Sequence, residues 1–259
     1  MFALFSAVTS ASGADVTGDT DVRAADLLIT NVRTIGFAGD APAIQEGVDV
    51  VIDDGRIVHV GGSGFALQAD AELYVKGLTL IPGLTDMHVH LWDEAELGAY
   101  LGHGVTTVRN MSGMPFHLEL QERIRQGELA GPRLLTSGPI LNSTGPNAQI
   151  NHQIVEDEAA ARAAVRWQYN AGFRRIKVYS NLTREAWEAI RDQSSELGML
   201  VTGHTPEGRR SPGIPLQSPF VINFDELLDD SFETIEHIES IVWHGLRAGR
   251  DEDEARALG

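Results

Sequence analysis

Two histidines separated by one residue, His88-Val89-His90, stand at the end of the strand-like run LTDMHVHL. Residues two apart on a strand project from the same side, so both imidazoles can converge on one ion. The pair alone is a weak signal, because this spacing also arises by chance. Three further side chains end other strand-like runs: Lys177 in RIKVY, His204 in MLVTGH and His237 in TIEHIE. Taken singly, each of these histidines reads as a packed or surface residue, and Lys177 as a solvated lysine; its apolar neighbours Ile176 and Val178 argue against the last reading. Their shared placement at strand ends changes the weighing. In an α/β barrel the C-terminal ends of all strands ring one mouth, so residues far apart in sequence become neighbours there. Four histidines and a lysine are then expected around one cavity. The chain contains no cysteine, so any ion would be held by nitrogen and oxygen ligands alone.

The elements that would carry these residues are legible from periodicity and punctuation. From Ala25 to Val60 the pattern is β-like, with Asp54-Gly55 between two apolar runs as a hairpin turn, which predicts a small antiparallel β unit over residues 25–81. AELYVKGLTLI reads as a further strand. Pro82-Gly83 marks the boundary with a second region, 82–259, where helices and strands alternate in the manner of parallel β/α units. Six barrel strands are expected: LTDMHVHL, VTTVRN, RLLTSG, RIKVY, MLVTGH and TIEHIE. A closed (β/α) barrel has eight. Because a six-stranded remnant would expose backbone edges, the sequence predicts an incomplete TIM-type (β/α)8 barrel whose continuation is missing, and a poorly folded short form.

Composition narrows the partners. With 37 acidic and 20 basic residues the net charge is -17, which disfavours nucleic acid and anionic lipid surfaces. A small-molecule substrate is the expected partner, and homo-oligomeric association stays open. The apolar stretch Met1 to Val8 is far short of the roughly 20 residues a membrane-spanning helix needs. Residues 1–24 fit either a signal-peptide remnant lacking its basic start or a disordered tail, which leaves both an exported and a cytoplasmic location open. Gly61-Gly62-Ser63-Gly64 is a turn and not a phosphate loop, because no GxGxxG followed by a helix is present.

In combination, ADLLITNV, IDDGRIVHVG, LIPGLTDMHVHL, GVTTVRNM, RIKVYSNL, VTGHTPEG and TIEHIES resemble the amidohydrolase superfamily, in its imidazolonepropionase-like and prolidase-like branch. The resemblance runs from about Ala25 to Glu239. It implies a metal-dependent hydrolase of carbon-nitrogen bonds, acting on an amide, cyclic amide or dipeptide. It also implies that His88 and His90 bind a more buried metal, that Lys177 is carboxylated and bridges two metals, and that His204 and His237 hold the second. The ions would be divalent, with two zinc ions the leading expectation. A lysine buried beside metals has a depressed pKa, reacts with carbon dioxide as the free amine, and becomes an anionic ligand.

Two departures stand out. The family's aspartate at the end of the eighth strand has no counterpart in this chain, so the general base is unknown, and Asp86 is not promoted to that role. Asn110 occupies a position in GVTTVRNM where the pattern has an acidic residue. Tyr179, two residues after Lys177, should face the same mouth, as a substrate contact or simply as a packed tyrosine. His59, His103, His117, His152 and His244 read as structural or exposed. Two other readings stay in view: a mononuclear deaminase of the same superfamily, and a non-catalytic fragment that keeps partial metal binding.

Overall fold

A computed structural model describes residues 24–36, 43–62, 68–75, 77–208, 220–229 and 232–247. The signal-remnant or tail reading of residues 1–24 therefore lies, but for Ala24, outside the described residues. The chain forms two compact units, one from the described part of Met1–Thr85 with His103–Thr106, the other from Asp86–Gly102 and the described residues from Thr107 onward.

The first unit is built on β1 (Ala24–Gly36), β2 (Ala43–Asp53), β3 (Arg56–Gly62), β4 (Gln68–Tyr74) and β5 (Thr79–Leu80). The order is β3-β2-β1-β4, with β5 also on β1. β1, β2 and β3 form the expected antiparallel meander, turned at Asp54 and Gly55, both with positive φ as a two-residue hairpin demands. β4 and β5 join β1 in parallel. AELYVKGLTLI is thus two strands, and the break is a turn in which Leu78 N–H donates to the Val75 carbonyl at 2.9 Å. Alternation puts Ile29, Val32, Val48, Val50 and Ile52 into one small core.

In the second part of the chain come β6 (Leu84–Val89), α1 (Glu96–Gly102), β7 (Val105–Asn110), α2 (Pro115–Arg125), β8 (Arg133–Thr136), β9 (Ile140–Asn142), β10 (His152–Ile154), α3 (Glu158–Ala171), β11 (Arg175–Val178), α4 (Arg184–Glu196), β12 (Leu200–Gly203), α5 (Phe224–Asp229), β13 (Phe232–Ile235) and α6 (Ile238–Arg247). Strands follow the orders β6-β7-β8 and β10-β9-β11-β12-β13, and β11, β12 and β13 pair in parallel. A bond from Gly138 N–H to the Arg175 carbonyl at 2.9 Å joins the end of β8 to the start of β11. The six barrel strands read from the sequence are all present, with β9 and β10 as two short additions. This is the parallel β/α layering of a TIM-type barrel.

The helices start where the chain offers side-chain acceptors. Asp157 accepts from Ala160 N–H at 2.8 Å to cap α3, Thr183 accepts from Ala186 N–H at 3.1 Å to cap α4, and Gly172 in the left-handed region ends α3. Asp157→Ala is expected to lower stability by about 1 kcal/mol, read from the midpoint of urea unfolding. On β11, Ile176 and Val178 join Trp187, Ile190, Val165 and Phe173 in the main core. Lys177, between them in sequence, is directed to the opposite side by the period of two. Core packing on one face of β11 therefore fixes where the lysine points.

Candidate metal centre

Lys177 is 1% exposed, and its ammonium nitrogen has no hydrogen-bond partner among the described residues. Burial pulls the amine down to about 8; Glu236 pushes it back up and Arg109 adds to the lowering. Its charge is felt at His88, His90, His152 and His204, so all four rings lie in its field.

The imidazoles form a continuous series. Ring centroids are 5.4 Å apart for His90 and His88, 4.9 Å for His88 and His237, and 4.3 Å for His237 and His204. Tyr179 follows at 3.9 Å from His204, and His152 lies 4.7 Å from Tyr179. The five residues singled out from their strand ends are therefore gathered, and Tyr179 packs between two of the rings. Among the described residues, no group of three or more His, Asp or Glu side chains makes a ready metal cage as it stands. Lys177, as an ammonium, is a donor and not a ligand.

Burial and neighbouring positive charges favour the neutral form of His204, His88 and His90. Burial first, then the charges of Lys177, His237, His88 and His152, brings His204 to about 2. Burial and neighbouring charges likewise lower His88 and His90. A neutral imidazole is the form that ligates. The Nδ1 atom of His204 has no hydrogen-bond partner among the described residues.

His237 reaches the series through its backbone. It has φ 72, a conformation uncommon for a residue with a side chain. On a regular strand, Glu236 and His237 would point to opposite faces; the left-handed turn at His237 lets both serve one region. Glu236 still extends the ladder, its N–H donating to the Gly203 carbonyl at 2.8 Å.

Sequence reasoning missed three residues here. Glu236 carries no signal of its own beyond standing next to His237. It is 8% exposed and accepts from His88 Nδ1 at 2.7 Å, from Thr234 Oγ1 at 2.6 Å and from Arg109 Nη2 at 2.5 Å. Burial would raise its carboxyl, but the bonds from Thr234 and His88 and the charges of Arg109 and Lys177 outweigh that and hold it at about 2. Arg109, from VTTVRN, also donates to the Met87 carbonyl at 2.7 Å and to Thr234 Oγ1 at 3.0 Å. His152, read as structural or exposed, is buried in β10; its Nδ1 lies 3.2 Å from Asn142 Nδ2, its Nε2 has no partner among the described residues, and burial lowers it to about 4.

Asn110 has a clear task despite departing from the family pattern. It is fully buried, accepts from Leu91 N–H at 3.0 Å and donates to Thr136 Oγ1 at 3.1 Å. The first bond anchors the backbone just after His90. An amide performs both roles, whereas a carboxylate could only accept from the threonine hydroxyl. His117, fully buried, accepts from Met114 N–H at 2.9 Å, and its Nε2 lies 2.8 Å from the Leu91 carbonyl. It is structural, as its helical position suggests.

No family model matches the chain. A deacetylase from Agrobacterium fabrum is 42% identical over 72 residues, covering 26% of this chain and 16% of that protein. An imidazolonepropionase from Salinispora arenicola is 27% identical over 114 residues, covering 39% of this chain and 29% of that one. Among solved structures, a bottromycin amidohydrolase superposes with a TM-score of 0.64 at 23% identity, over 88% of this chain and 46% of that chain. The chain thus spans less than a third of the length of either curated relative. With the parallel β/α layering and the antiparallel meander before it, the chain has the fold of the solved amidohydrolase and is similar, over part of its length, to the deacetylase and the imidazolonepropionase.

Proposed function

We propose that this protein is a metal-dependent hydrolase of carbon-nitrogen bonds, acting on an amide, cyclic amide or dipeptide. His88, His90, His204 and His237 would hold one or two divalent ions, zinc first among them, with Lys177 as a carboxylated bridging ligand. The observation that carries the reading is the unbroken series of imidazoles set around a buried amine that has no partner among the described residues.

The donor set fits a divalent cation. Neutral imidazoles and a carboxylated amine are nitrogen and oxygen ligands of the kind zinc accepts, and Lys177 Nζ and His204 Nδ1 are buried polar atoms with no hydrogen-bond partner among the described residues. When bound, a divalent ion lowers the pKa of its water toward neutrality and polarises a carbonyl. The chain's own residues prepare for this. Burial of Lys177 keeps a useful fraction of free amine near neutral pH, the form that reacts with carbon dioxide. Tyr179, beside His204, would be a substrate contact at the mouth. Glu236 does not serve as general base: a carboxyl held at about 2 by several donors is a poor proton acceptor.

The unpaired burial of Lys177 favours this reading over a mononuclear deaminase, where a bridging carbamate has no task. Metal content after expression with zinc, followed by chelation and readdition, tests it. One to two bound equivalents per chain are expected, with amide hydrolysis lost on chelation and restored on readdition. Absence of a stoichiometric ion, or hydrolysis indifferent to chelation, would overturn it.

A further inference from the structure

The ring of His88 contacts a carboxylate that is itself gripped from several sides. Glu236 Oε2 accepts from His88 Nδ1 at 2.7 Å. Its other oxygen, Oε1, receives Arg109 Nη2 at 2.5 Å, Thr234 Oγ1 at 2.6 Å and Thr202 Oγ1 at 3.1 Å. Thr202 Oγ1 also lies 2.5 Å from Thr234 Oγ1. β12 and β13 pair Thr202 with Thr234, so both hydroxyls are delivered to one side by strand register. Arg109 and Glu236 have side chains only 4% and 9% exposed, so the charges are compensated within the protein and not by solvent.

We infer that Glu236 is the positioning residue of His88: it holds the ring as the Nδ1–H tautomer and leaves Nε2 as the nitrogen with a free lone pair, while Arg109, Thr202 and Thr234 clamp the carboxylate. This goes a step beyond the metal-centre reading and rests on it. An ionised carboxylate has no proton to give, so the bonded His88 nitrogen must be the donor. Arg109 Nη2 and Thr234 Oγ1 donate to Oε1, Thr202 Oγ1 shares its one proton between Oε1 and Thr234, and Oε2 is left to the ring. A histidine whose other nitrogen donates to a carboxylate is oriented and made a more basic ligand. The same clamp explains why a buried arginine belongs at the end of VTTVRN: it neutralises the carboxylate and takes no place in ligation.

The test uses histidine-labelled protein and does not depend on activity. In metal-free wild type, nitrogen-proton correlation spectra should show His88 as a single Nδ1–H tautomer. An Nε2–H or averaged ring would overturn the inference, whatever the variants do. In Glu236→Gln, the group facing His88 becomes an amide that can donate while Oε1 still accepts from Arg109 and the threonines. The proton should then move to Nε2, the atom needed for ligation, and zinc affinity measured by chelator competition should fall about 10- to 100-fold. Unchanged tautomer and affinity in Glu236→Gln would refute the positioning role. A wild type that shows the Nδ1–H ring but retains no zinc would refute the metal centre and leave the Glu236 contact standing.

Discussion

Lys177→Met is expected to abolish metal retention and to lower hydrolysis by on the order of 10³-fold, since metal activation supplies several kcal/mol of transition-state stabilisation. The same substitution should act in the opposite direction on the metal-free fold. Burial lowers the folded-state amine to about 8 from the ordinary lysine value of 10.5. Between those two values the unfolded chain binds a proton that the folded chain does not, so wild-type stability should climb as pH rises through that window. Below it, the folded protein carries the full cost of a buried ammonium with no hydrogen-bond partner among the described residues. Methionine keeps the straight chain and removes the charge. Urea unfolding of chelated protein should therefore find Lys177→Met more stable than wild type near pH 7, with the gap closing toward pH 10.5. A variant that keeps its metal and its activity would show that Lys177 is no ligand.

Gly203→Ala should be the most damaging single methyl group at the site. Gly203 ends β12 with φ +138, and an added Cβ would meet the Val178 carbonyl oxygen at 2.2 Å and the Lys177 Cδ at 3.1 Å. The first contact is with backbone, which cannot swing away, and the second is with the lysine stem itself. β11 and β12 pair at Val178 and Gly203, and His204 N–H donates to that same Val178 carbonyl at 3.1 Å. Relief of the clash must therefore part Lys177 from His204. A loss of about 3 kcal/mol or more is expected from overpacking and backbone strain together, with zinc binding lost as well. Gly198→Ala is the control: its φ is +64 but nothing lies within 4 Å of a Cβ, so only about 1–2 kcal/mol for the left-handed backbone is expected. Thermal denaturation of the two variants side by side checks the contrast, and equal losses would contradict the steric account.

The Asp54-Gly55 hairpin and the six barrel strands were legible in advance because each depends on neighbours a few residues away. Each of LTDMHVHL, VTTVRN, RLLTSG, RIKVY, MLVTGH and TIEHIE forms a strand. The break within AELYVKGLTLI was not legible, since both halves have strand composition and only the turn at Val75–Leu78 separates them. β9 and β10, of three residues each, are too short to show a period.

The sequence by itself determined which side chains could bind an ion and where along the chain they stand, because strand alternation and a shared strand-end position are local properties. Only the tertiary structure decided what surrounds them. His88 and Glu236 are 148 residues apart, and Arg109 and Glu236 are 127 apart, so no periodicity connects them. Whether a glutamate beside a histidine becomes a solvated surface group or a clamped partner depends on which strands pack next to it. The left-handed turn at His237, the burial of His152 beside Tyr179 and the loss of hydrogen-bond partners at Lys177 Nζ have the same origin. Desolvation and hydrogen-bond satisfaction are set by packing among distant segments, and they are what turn a list of histidines and a lysine into one electrostatically tuned site.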